Sequence, residues 1–153
     1  MSVKDIVRQQ YQHIVDGAAQ NPVPKTPPEG WLRTVRRALG MSGAQLAKRM
    51  CVTRARVAQA ENAELDGGIT LKSMQATAEA MGCRFVYAII PPHGVQELII
   101  AQARKKAENI VGTASKHMAL ESQVLQNVKL AQEVERLTHD IAQEMRPDFW
   151  SDQ

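Results

Sequence analysis

The residues best suited to chemistry in this sequence cluster at Arg54, Ala55, Arg56, Ala58 and Gln59, directly after Thr53. An arginine guanidinium can donate two hydrogen bonds to guanine O6 and N7. A glutamine amide matches adenine N6 and N7, and an alanine methyl can pack on the thymine methyl. Gln45 and Lys48 lie shortly upstream, and their polar heads suit phosphate oxygens. Catalytic chemistry has no comparable cluster. His13, His93, His117 and His139 are scattered, no glycine-rich phosphate loop is present, and no Ser, His and Asp set has a recognisable context. Glu133 and Glu135 read as a solvated helix face. Cys51 and Cys83 lack neighbours at metal-ligand spacing and do not make a disulfide framework. The expectation is a non-enzyme with no cofactor and no metal, residing in a reducing cytoplasm.

Base reading requires a short helix, a tight turn and a second helix whose first residues reach the major groove. The segment QLAKRMCVTRARVAQAE, Gln45 to Glu61, suits that arrangement. Ala47 is small where the helices would cross, Val52 plugs the turn, Val57 anchors the second helix, and Leu46 and Met50 complete the core. With those residues inward, Arg54, Ala55, Arg56, Ala58 and Gln59 remain on the outside. Arg56 and Gln59 are one turn apart and are assigned to bases. Arg54 and Lys48 are assigned to phosphates, although either arginine alone is also compatible with a phosphate or solvent role.

The elements around this segment follow from periodicity and breakers. Residues 1–20 predict an amphipathic helix, with Ser2 as cap and Val3, Ile6, Val7, Ile14 and Val15 on one face. Residues 21–30 contain Pro22, Pro24, Pro27 and Pro28 and predict a stiff linker. Residues 31–82 predict four helices. The first buries Trp31, Leu32, Val35, Ala38 and Leu39, directs Arg33, Arg36 and Arg37 elsewhere, and stops at Gly40. Ser42, Thr53 and Thr70 cap the other three, and the last of them directs Leu71, Met74, Ala78 and Met81 inward.

Residues 83–92 begin CRFVYAII and predict a strand ended by Pro91 and Pro92. A lone strand needs a partner for its backbone groups. Its own copy in a second chain would supply one and make a homodimer, while packing as an extended arm on its own domain is the alternative. Residues 93–153 predict a helical region for partner binding or dimerisation, with helices from Val95 to Val111 and from Lys116 to Met145 around a hinge at Gly112 to Ser115. Leu120, Val124, Leu125, Val128, Ala131, Val134, Leu137 and Ile141 form an apolar stripe along the second. The fold class is thus mainly α: a helix-turn-helix bundle with one short β-strand and a long C-terminal helical region.

Composition supports that class. In 153 residues, 44% are hydrophobic but only 4% aromatic, which suits a core of Leu, Ile, Val, Ala and Met. The net charge of +3 is unevenly spread. Gly30 to Gly82 holds eight basic and four acidic residues, whereas the rest is close to neutral. A basic middle segment suits phosphate backbones through counterion release. The longest apolar run, Val86 to Pro92, is too short to span a bilayer, and the N-terminus has no apolar signal core.

The segment from Trp31 to Gly82 resembles the phage-repressor, or XRE/Cro, type of helix-turn-helix domain. It departs from that pattern at Cys51, where a turn glycine is common, and at Gly43, where a phosphate-contacting glutamine is common. The stretches GWLRTVRRALGMSGAQLAKRM, ITLKSMQATAEAMGCRFVYAIIPP and SKHMALESQ together resemble the family called mobile mystery protein A. That resemblance implies an antitoxin-like repressor of a double-stranded operator, paired with a Fic-domain toxin. Fic antitoxins use a Ser or Thr, three residues, then a Glu followed by Gly or Asn. The nearest segment here is SQVLQN, Ser122 to Asn127, with Gln126 at the glutamate position. A neutral amide cannot make the same charge-assisted pair, so ordinary helix surface is the favoured reading.

Overall fold

The computed structural model describes residues 1–115 and 123–152. Its helices are α1 (Val3–Ala18), α2 (Trp31–Ala38), α3 (Gly43–Met50), α4 (Arg54–Asp66), α5 (Leu71–Ala80), α6 (Val95–Ser115) and α7 (Gln123–Glu144). The chain divides into two compact units. One is Pro22–Ala88, and the other joins Met1–Asn21 to Ile89–Gln153.

In the Pro22–Ala88 unit, helix starts follow side-chain capping. The hydroxyls of Ser42, Thr53 and Thr70 accept from the backbone N–H groups of Gln45, Arg56 and Ser73, which begins α3, α4 and α5 where orphan donors need partners. Helix α2 has no such residue, because Gly30 precedes it. Its first two amides donate instead to the Glu64 carboxylate on α4, Trp31 N at 2.6 Å and Leu32 N at 2.8 Å. Gly30 adopts a φ of 82°, and a Cβ there would stand 3.0 Å from that carboxylate. The close approach therefore requires glycine.

The core of this unit is Leu32, Leu46, Ala47, Val57, Met74 and Met81, with Val35, Met50, Val52, Ala60 and Phe85 packed against it. Several assignments made from periodicity need correction. Trp31, Ala38, Leu39 and Leu71 are exposed, and it is Arg33 and Arg36 that turn inward. The reason is Glu61, which is only 3% exposed on α4. A buried carboxylate must be paired. Arg33 reaches it at 3.0 Å, and Arg36 makes two bonds to it at 2.5 and 3.2 Å. The short helix α2 is rotated to deliver those guanidinium groups, which leaves its flanking apolar residues outside.

The predicted strand is also corrected. No strand forms among the described residues, and Cys83–Ile90 runs without helix, turn or ladder. A ladder needs a second β-rich segment, and this chain has none to offer it.

In the second unit, α6 packs on α7 and on the segment after it through a seam of Ile99, Ala103, Ala142 and Phe149, where alanine lets the helix backbones approach closely. Asp16 of α1 accepts from Val95 N at 2.9 Å and so caps α6 from a distance. The expected hinge at Gly112 to Ser115 is helical and belongs to α6. A single glycine is tolerated inside a helix at a cost of about 1 kcal/mol, which packing can offset. Of the α7 stripe, Val134, Leu137 and Ile141 are half-buried, while Val128 and Ala131 are exposed. The side chains of Leu120, Val124 and Leu125 lie outside the described residues, as does Ser122, the first residue of SQVLQN.

Burial alone pushes the Glu61 carboxyl up, but the hydrogen bonds and charges of Arg36 and Arg33 outweigh it and hold the group below the usual glutamate range. Glu61→Ala is expected to cost about 3–5 kcal/mol in urea unfolding, because two cations lose a buried partner. The folded-state pKa is depressed, so this stabilisation is complete above the ordinary glutamate value and is lost as pH falls through the lowered one. The gap between wild type and Glu61→Ala should therefore narrow on acidification. A gap that widened would refute the assignment.

Candidate nucleic-acid interface

The turn between α3 and α4 is built by three residues. Cys51 ends α3 in the left-handed conformation, φ 57° and ψ 40°. Val52, half-buried, donates its N–H to Ala47 O at 3.0 Å, and Thr53 then caps α4. A cysteine in this conformation carries strain that a glycine would not. Cys51→Gly is therefore expected to raise stability by about 0.5–1 kcal/mol in thermal unfolding, after allowing for the freer unfolded chain. A loss of stability would show that the thiol packs in a way its exposed position does not suggest.

Beyond the turn, Val57 and Glu61 bury one face of α4. Thr53, Arg54, Ala55, Arg56, Ala58 and Gln59 are all exposed, as are Gln45 and Lys48 on α3. The structure thus brings every sequence-assigned residue to the surface of the α3–turn–α4 segment. Gln45 has a second duty, because its Oε1 accepts from Ser42 N at 2.8 Å and closes a capping box. Its Nε2 hydrogens remain available for an acceptor such as a phosphate oxygen.

Charge is sorted by the same packing. Of the basic residues in this unit, Arg33 and Arg36 are held by Glu61, Arg37 by Glu29, and Arg49 by Ala80 O at 2.6 Å. Among the described residues, the side chains of Lys48, Arg54, Arg56 and Lys72 have no hydrogen bond or ion pair. Two of the acids, Glu61 and Glu64, are spent inward on α2. Between Gly30 and Gly82 the uncommitted cations therefore lie around the start of α4 and the first turn of α5, while Lys25 and Arg84 are the unit's other cations without a side-chain partner.

Lys72 was not picked out from the sequence. The signal was present, because it follows the Thr70 cap and a cation in a first helical turn opposes the helix dipole. Such a placement makes sense when an anion is the intended neighbour. The α5 cap lies beside the proposed base readers, since Arg56, Gln59, Thr70 and Ser73 line one groove of 350 Å3 between α4 and α5.

A short first helix, a left-handed turn and a second helix with a free polar N-terminal face define a helix-turn-helix, the module of DNA-binding transcription regulators. In agreement, residues 32–87 match the family model described as Helix-turn-helix. No curated protein and no solved structure matches the chain. No helix among the described residues is long and apolar enough to cross a membrane.

Base and phosphate roles should fail differently. Arg56→Ala or Gln59→Ala is expected to cost about 1–3 kcal/mol on the preferred site and to relax preference at one position. Lys48→Ala should weaken all sequences alike and flatten the salt slope by about one unit. Binding to a panel of operator mutants at two salt concentrations separates the two. Uniform weakening by Gln59→Ala, or altered base preference in Lys48→Ala, would overturn the assignment.

Proposed function

We propose that this protein is a sequence-specific transcriptional repressor that binds a double-stranded operator as a homodimer. The observation that carries this reading is the outer face of α4, where Arg54, Arg56 and Gln59 stand exposed while the inner face is committed to α2 and the core. Two copies related by a two-fold axis would set their α4 helices in successive major grooves, about 34 Å apart. Occupying those grooves excludes other proteins from the same DNA, which is the physical basis of repression.

The resemblance to mobile mystery protein A adds a partner to this proposal. On it, the protein is the antitoxin of a Fic-domain toxin and represses its own operon. One feature of the molecule is compatible with a role in protein binding. Helix α1 leaves Val3, Ile6, Val7, Tyr11 and Ile14 exposed, although a helix with this pattern ordinarily covers its apolar face. The second reading, an interaction module that neutralises a partner without specific DNA binding, draws on the same face.

Footprinting of the protein on its own promoter region tests the first reading. The expected result is a protected region with dyad symmetry and half-sites one helical turn apart, lost in the Arg54→Ala, Arg56→Ala double variant. A lone protected half-site bound by a monomer would contradict it. Salt-insensitive or sequence-blind binding, together with a stable complex with the Fic-domain protein, would favour the interaction module.

A further inference from the structure

Between α5 and α6 the chain holds a run whose backbone is unused. Among the described residues, no N–H or carbonyl from Arg84 to Ile90 takes part in a hydrogen bond. The run has sharp ends. Cys83 N is already committed to Ala78 O at 2.9 Å, and Pro91 has no N–H to offer. Its side chains are as unusual as its backbone, with Val86 69%, Tyr87 70% and Ile89 92% exposed. Phe85 and Ile90 are the exceptions, both half-buried, and Phe85 packs on the core of the helix-turn-helix unit. The Phe85 and Tyr87 rings stack with centroids 5.6 Å apart, as residues two apart do when they share one side of an extended chain.

We propose that Arg84–Ile90 pairs with the same run of a second copy as a two-stranded antiparallel ribbon, with Tyr87 on the two-fold axis. This rests on the dimeric DNA-reading proposal and names how the two copies are held. The register follows from the ends of the run. Tyr87 is its midpoint, so a dyad there pairs the run over its full length, with alternate residues forming the ladder bonds. Phe85 then faces Ile89 of the other copy, an aromatic against a β-branched side chain, which is a favourable cross-strand pair. Val86 faces Ala88, and the highly exposed Ile89 gains an apolar neighbour.

Charge selects the same register. Arg84 is the only charged residue of the run. With Tyr87 central, the two Arg84 side chains lie at opposite ends of the ribbon, about 20 Å apart at 3.4 Å per residue. A dyad moved toward Arg84 would bring like charges together while leaving Ile89 and Ile90 uncovered. A bare two-stranded ribbon is marginal in water. Here each strand is anchored by its own Phe85 in a folded core, which reduces the entropy that pairing must overcome.

Cysteine scanning of the full-length chain tests both contact and register. In a Cys51→Ser, Cys83→Ser background, each position from Arg84 to Ile90 is changed singly to cysteine and oxidised mildly. The exposed position of Tyr87 keeps its substitution from disturbing the fold, which circular dichroism checks. Tyr87→Cys is expected to form a covalent dimer about ten-fold faster than Val86→Cys or Ala88→Cys, whose like positions would lie about 8 Å apart, beyond disulfide reach. The Val86→Cys, Ala88→Cys double variant should recover fast cross-linking. Fastest cross-linking at another position would overturn the register, and a monomer in sedimentation at operator-binding concentrations would overturn the ribbon. Operator binding is measured on the same proteins. A cross-linked dimer that reads no sequence refutes the DNA-reading proposal alone, and a sequence-reading dimer with no cross-link at Tyr87 refutes the ribbon alone.

Discussion

Glu61 is the residue on which the geometry of the interface depends. A carboxylate that is 3% exposed must be paired, and the structure meets that demand with two guanidinium groups from α2. Because both arginines come from one neighbouring helix, the contact sets the rotation of α4 about its own axis as well as its distance from α2. An apolar contact would tolerate sliding, whereas forked donors meeting a planar carboxylate do not. Val57 lies one turn earlier on the same side and fixes that rotation a second time. The exposure of Arg54, Ala55, Ala58 and Gln59 follows as the remainder of the helix circumference.

Glu64 extends the constraint by one turn and shows a second device, used in each unit. Helix α2 and helix α6 both lack a capping side chain of their own, and each takes a carboxylate from a helix distant in sequence, Glu64 and Asp16 respectively. Both are preceded by a glycine at positive φ, Gly30 and Gly94. Such a cap satisfies orphan amides and places a negative charge at the positive end of the helix dipole. It also converts a local need into a tertiary contact, so each helix start is completed only when its unit folds.

Local chemistry is what the sequence makes legible. Ser42, Thr53 and Thr70 are capping residue types that satisfy amides within one turn, and they begin helices where expected. Leu46, Ala47, Val57 and Met74 are buried because their spacing leaves one face apolar in any packing. Arg33 and Arg36 illustrate what periodicity cannot reveal. Two arginines read as surface on hydropathy, and only the burial of an acid some 25 to 28 residues later turns them inward. Leu39 is the converse, an apolar residue beside α2 left at the surface. The run from Cys83 to Ile90 has strand composition but no partner within the chain, so composition described its preference and not its state.

The same ion pairing also shapes the electrostatics. A count of basic and acidic residues gives the Gly30 to Gly82 segment a modest positive excess, yet a count treats all charges as equally available. Folding withdraws Arg33 and Arg36 with Glu61 as a paired internal group of net charge +1, and Glu64 is directed to the amides of α2. The cations left uncommitted are those flanking the exposed start of α4, with Lys72 in the first turn of α5. Long-range attraction to a polyanion depends on such exposed charge, since paired and buried groups contribute little beyond a Debye length. Pairing the acids inward thus performs two tasks with one set of contacts: it sets which face of α4 is exposed, and it leaves that face positive.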